Sequence, residues 1–100
     1  MALEIRENRG IFEILGNVSS QNLGALRVYF ETIMESGENI VINLENINTM
    51  DTSSALFFEK LYQEGGKRNV VISIVGRQNK GVMQIMESTN THYILSADRI

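Results

Sequence analysis

Ile40-Val41-Ile42-Asn43-Leu44-Glu45-Asn46-Ile47-Asn48-Thr49-Met50-Asp51-Thr52-Ser53-Ser54-Ala55-Leu56-Phe57-Phe58 passes from an apolar run to a polar turn to a second apolar pattern of different period. Asn39 to Leu44 carries the apolar run Ile40-Val41-Ile42 and reads as a buried strand. Ile47 to Asp51 begins apolar, ends polar and reads as a loop. A helix is expected to start near Ser53 or Ser54, with Phe57, Phe58, Leu61 and Tyr62 on one apolar face. Gly65-Gly66 is its expected stop. Strand, loop and helix in that order make one unit of an α/β domain.

Working outward, the same alternation continues on both sides. Upstream, Leu3 and Ile5, then Ile11, Phe12, Ile14 and Leu15, flank Asn8-Arg9-Gly10 and predict two short strands joined by a tight turn. Gly16 and Asn17 are expected to break the second strand. Leu23, Leu26, Phe30, Ile33 and Met34 recur at spacings of three and four and predict a helix. Ser19, Ser20 or Asn22 could cap it, and Gly37 suits its end. Downstream, Val70 to Val75 is β-branched almost throughout and predicts a strand ended by Gly76. A third helix is expected from about Asn79 to Glu87, with Val82, Ile85 and Met86 inward. Tyr93-Ile94-Leu95 is read as one last short strand. The predicted order is β-β-α-β-α-β-α-β, and strand–helix–strand units favour parallel neighbours with right-handed crossovers. The opening hairpin then makes the sheet mixed.

Size and composition restrict the function. One hundred residues hold one core, so residues 1–100 are read as a single domain. Hydrophobic residues at 43% and charged residues at 21% are ordinary for a globular chain. No apolar run is long enough to span a bilayer, and Met1 to Arg9 lacks a secretory apolar core, so a cytoplasmic protein without membrane insertion is expected. With no cysteine, disulfides and thiolate metal sites are excluded. A net charge of −3 argues against direct nucleic-acid binding, which needs clustered Lys and Arg. It leaves a protein partner open, and the oligomeric state as well.

Catalytic sets are poorly supported. The lone His92 lies in a polar stretch and reads as a surface residue. Asp51, Ser53 and His92 supply the residue types of a triad, but nothing in their placement brings them together. Neither G-x-x-x-x-G-K-[ST] nor G-x-G-x-x-G occurs. Glu45 with Asp51 makes a poor metal site. No enzyme activity and no cofactor are therefore expected. Arg77 and Lys80, near the third helix's start, could meet a phosphate or an acidic partner, though solvated surface charge is the simpler reading. Met83 and Met86 read as core or rim packing.

The informative residues are Asp51, Thr52, Ser53 and Ser54. Asp, Thr and Ser before a helix are what plain N-capping requires. The same position also places hydroxyls beside unpaired N–H groups and the positive end of the helix dipole, where a phosphate is accommodated. Phosphorylation there adds about −1.5 to −2 of charge at neutral pH. On a partner-facing surface that charge is a switch.

Asn43-Leu44-Glu45-Asn46-Ile47, then Met50-Asp51-Thr52-Ser53-Ser54-Ala55, resembles the signature of STAS domains, an apolar strand and short loop before Asp-Ser-Ser-Gly opening a helix. Gly65-Gly66-Lys67 before a β-branched strand, and the helix after that strand, fit the family's layout. The resemblance covers about Leu3 to Leu95. It implies a mixed central sheet with helices mainly on one face. It also implies the function of an anti-sigma factor antagonist, which binds a serine-kinase anti-sigma factor and is released on phosphorylation, a phosphatase reversing the modification. Carried onto this chain, Ser53 is the acceptor, and Asp51, Thr52, Ser53 and Ser54 form the partner-binding loop and helix start. The family's usual glycine after the acceptor is Ser54 here, and a Cβ at that position is expected to narrow backbone freedom and obstruct close approach. Stand-alone STAS domains also resemble interaction subunits of lipid-transport assemblies that support a membrane ATPase, the alternative without a phosphoswitch.

Overall fold

A computed structural model describes residues 2–97. Alternation along the second strand shows how the layers form. From Ile11 to Val18 every second side chain is buried, so Phe12, Ile14 and Val18 face the core while Glu13 and Leu15 face the other way. The elements are β1 (Glu4–Asn8), β2 (Ile11–Val18), α1 (Leu23–Met34), β3 (Ile40–Asn43), β4 (Ile47–Met50), α2 (Thr52–Lys67), β5 (Ile72–Val75) and α3 (Lys80–Ser88), with 3-10 turns at Ser20–Asn22 and His92–Ile94. The five strands form one mixed sheet ordered β1-β2-β3-β5, with β4 beside the far end of β2. β1 is antiparallel to β2, and the other pairs are parallel. All three helices cover the face carrying Phe12, Ile14, Ile42 and Ile74. Leu26, Phe30 and Met34 of α1, Ala55, Phe58 and Leu61 of α2, and Val82 and Met86 of α3 fill the space between. The expected fold class is thus observed.

The hairpin turns on Arg9 (φ +55°) and Gly10 (φ +81°), two left-handed residues in succession, which match the twist of the strands. Four local expectations change. First, Gly16 does not end β2: the pairing shifts between Gly16 and Asn17, and the strand runs on to Val18. Gly16 sits at φ +90°, and a Cβ there would collide with the carbonyl of Ala2, so the residue makes a bulge rather than a break. Second, Ile47–Met50 is a strand. The continuation of β2 past the bulge offers it a parallel partner, Asn17 opposite Thr49 and Val18 opposite Met50.

Third, Gly65-Gly66 lies inside α2, which ends only after Lys67; Asn69 takes the left-handed conformation beyond it (φ +58°). Gly65 is there for proximity, because a Cβ would lie 2.7 Å from Cδ1 of Ile72. Fourth, Tyr93-Ile94-Leu95 is no strand. His92–Ile94 is a 3-10 turn, and Leu95 makes a single bridge to Ile74. Smaller differences also occur. The β5 strand is shorter than Val70–Val75, α2 begins at Thr52, and Tyr62 is exposed at the edge of the α2 stripe.

Candidate functional site

The site is built where β4 delivers the chain to α2. Asp51 has extended backbone and caps the helix, its Oδ1 accepting the N–H of Ser54 at 2.9 Å. Oδ1 also accepts the Ser54 hydroxyl at 2.6 Å, and Oδ2 accepts the N–H of Ser20 from the β2–α1 connection at 3.0 Å. One carboxylate therefore joins two crossings of the chain. Burial raises the Asp51 pKa, but the hydrogen bonds from the Ser54 hydroxyl and N–H and from Ser20 outweigh it and hold the group below its ordinary value.

Ser54 is fully buried. Its Cβ points inward on a helical backbone, so the residue standing in place of glycine does not obstruct the outer surface. Its hydroxyl is committed to Asp51. Thr52 and Ser53 are exposed in the first turn. Capping and presentation are thus divided between different residues of one motif.

The preceding connection is held by a residue that sequence reading had placed only at a helix boundary. Asn79 caps α3, its Oδ1 accepting the N–H of Val82 at 3.2 Å. Its Nδ2 lies against the carbonyls of Leu44, Glu45 and Ile47 at 3.4, 2.9 and 3.0 Å. The Glu45 carboxylate accepts the N–H of Gln78 at 3.1 Å, a second tie between the same segments. Asn17 accepts from Asn48 and Thr49, bracing β4 against β2.

A groove of about 470 Å³ lies between α1 and α2, lined by Ser53 together with Leu23, Arg27, Leu56 and Lys60. Leu56 is 49% exposed, and the Arg27 guanidinium lies 5.9 Å from the Phe57 ring centroid. Sequence reading missed Arg27 and Lys60; their spacings mark exposed helix positions but not that two helices share a groove.

The other residues considered fall elsewhere. Arg77 donates to the carbonyl of Leu95 at 3.1 Å, and Met86 is core. His92 is half-buried rather than at the surface, with Nδ1 unpartnered among the described residues. It makes no bond to Ser53 or Asp51, whose oxygens are taken by Ser54 and Ser20. Among the described residues, no group of three metal-ligating side chains occurs and no helix is long and apolar enough to cross a membrane.

A mixed sheet covered on one face by three helices, with a capped, hydroxyl-bearing start to the second, defines a class of small α/β domains. The chain belongs to the STAS domain family, whose model matches residues 1–96. Among solved structures it is similar to the anti-sigma factor antagonist SpoIIAA in its unphosphorylated form. That similarity has a TM-score of 0.72 at 14% identity, covering 95% of this chain and 86% of the other. It is also similar to an uncharacterized DUF3478-family protein with a SpoIIAA-like fold from Shewanella loihica, with a TM-score of 0.52 at 14% identity over 97% of this chain and 81% of the other. No curated protein matches the sequence.

Proposed function

We propose that this chain is an anti-sigma factor antagonist, a cytoplasmic partner-switching regulator of transcription. It binds a serine-kinase anti-sigma factor through the surface around Asp51, Thr52, Ser53 and Ser54, and phosphorylation of Ser53 releases it. In that step Ser53 Oγ forms the bond to the terminal phosphorus of a nucleoside triphosphate on the kinase. The bond from that phosphorus to the bridging oxygen breaks, the nucleoside diphosphate leaves with that oxygen, and the hydroxyl proton passes to solvent. A matching phosphatase returns the serine by hydrolysis.

The observation that carries this reading is the division of roles within the motif. Ser54 is buried with its hydroxyl bound to Asp51, whereas Ser53 is exposed on an already capped helix start. A charge added at Ser53 alters the surface offered to a partner and leaves the cap intact. Belonging to the STAS family and likeness to an anti-sigma factor antagonist support the partner class.

The test is intact-mass and fragment analysis of chain isolated from its native cells, with binding of the co-purifying kinase to three forms. The wild type and Ser53→Ala are expected to bind alike, with Ser53→Asp weaker by on the order of tenfold or more. Equal affinity for all three, with no phosphate on Ser53 under any growth condition, refutes the switch. A stably co-purifying membrane ATPase would then point to the interaction-subunit alternative.

A further inference from the structure

We propose that the phosphoryl group on Ser53 is received within the chain itself by Arg27, across the groove between α1 and α2. The inference rests on Ser53 being the modified residue and adds where the new charge goes.

Three observations meet here. Ser53 and Arg27 line the same groove from opposite helices. Phe57, over which the Arg27 guanidinium lies at 5.9 Å from the ring centroid, is four residues after Ser53, about one helical turn along the same side of α2. Arg27 is also uncommitted to an acid: the ion pairs among the described residues are Arg6–Glu4 and Lys67–Glu64. A guanidinium on an aromatic face still offers its N–H fork to phosphate oxygens, and Arg–phosphate pairing is commonly bidentate.

The surrounding charges make the assignment specific. Lys60 lines the groove and has no ion pair among the described residues, so it adds to the attraction. Glu59 also lines the groove and keeps its charge while accepting the Tyr93 hydroxyl at 2.6 Å, so the groove holds two cations against one acid. Glu31 and Glu64 lie with Arg27 and Lys60 at a separate small pocket that Ser53 does not line. Asp51, two residues before Ser53, keeps its charge while accepting from Ser54 and Ser20, and it does not line the groove, so it repels a phosphate from outside. The favourable direction for a phosphate on Ser53 is therefore into the groove. There it pairs Arg27 and occupies the space beside exposed Leu56. Phosphorylation then removes a groove from the surface as well as adding charge to it.

The experiment uses full-length chain carrying genetically encoded phosphoserine at position 53, made without any kinase. Phosphorus NMR follows the second ionisation of the phosphate in the wild-type background, in Arg27→Gln and in Arg27→Lys. The N–H groups at the start of α2 also favour the dianion, but they persist in both variants, so the comparison isolates Arg27. Proton binding by the phosphate is expected to be roughly three- to tenfold weaker with Arg27 than in R27Q, with R27K between them. The difference should shrink at high salt. Arg27 is exposed, so R27Q is expected to fold, and the amide spectrum of its unmodified form checks this. Coincident titrations of wild type and R27Q overturn the clamp while leaving modification of Ser53 intact. Failure to find phosphate on Ser53 in cells overturns the switch and leaves the measured clamp standing.

Discussion

The starts of α2 and α3 are built on the same plan and used differently. Each follows a strand, and each is capped by a short acidic or amide side chain that accepts the N–H three residues on, from Asp51 to Ser54 and from Asn79 to Val82. Asp51 can only accept. Its remaining capacity goes to a serine hydroxyl and a neighbouring N–H, and two hydroxyl residues are left in solvent. Asn79 can also donate, and its amide group is directed at three carbonyls of the β3–β4 connection. One helix start displays; the other braces the segment leading to the display. The chemical difference between a carboxylate and an amide decides which.

That comparison can be broken by substitution. Asn79→Ala should cost the most, about 2–3 kcal/mol in denaturant unfolding, because it removes a cap and the two amide N–H donors that reach the Glu45 and Ile47 carbonyls. Asn79→Asp keeps an oxygen to cap Val82 but sets a carboxylate oxygen against those carbonyls, so it should recover little or none of the loss. If Asn79→Ala unfolds like the wild type, the bracing role is wrong.

Asp51→Ala should cost about 1–2 kcal/mol, since it loses the cap and leaves the Ser54 hydroxyl buried without its acceptor. The same carboxylate should make α2 acid-sensitive. Its folded pKa lies below the ordinary 3.8, so its contribution is present in full well above pH 3.8. It declines as the pH falls past that value and through the folded pKa. Stability measured between pH 6 and pH 2 should drop less in Asp51→Asn than in the wild type. Parallel curves would remove Asp51 from the account.

The smaller effects separate the two serines. Ser54→Ala should cost about 1 kcal/mol, the net worth of a typical hydrogen bond, since Asp51 Oδ1 keeps the Ser54 N–H, without changing modification at Ser53. Ser53→Ala should change stability by no more than about 0.5 kcal/mol, since the side chain is exposed and makes no hydrogen bond among the described residues. A large loss from Ser53→Ala would mean that the serines have been assigned the wrong way round.

Much of this architecture was legible in the chain. Spacing of Leu26, Phe30 and Met34 set the buried face of α1, and the alternation of Phe12 and Ile14 set that of β2, because period and burial are local consequences of backbone geometry. The Asp51 cap was legible for the same reason. The strand at Ile47–Met50 was not. Its four residues have no strong pattern, and they become a strand only because β2 is carried past its bulge at Gly16 to meet them. Gly65-Gly66 misled in the opposite direction. A glycine pair reads as a helix end locally, whereas the folded chain uses Gly65 to let Ile72 approach.

At the site, local preferences alone put Asp51, Thr52, Ser53 and Ser54 at the start of a helix, since capping and apolar period require only neighbours along the chain. The tertiary structure decided that Ser54 turns inward and Ser53 outward, that Ser20 joins Asp51, and that Arg27 shares a groove with Ser53. Those relations join segments distant in sequence. Ser20 and Asp51 are 31 residues apart and meet because packing on a common sheet brings their connections together.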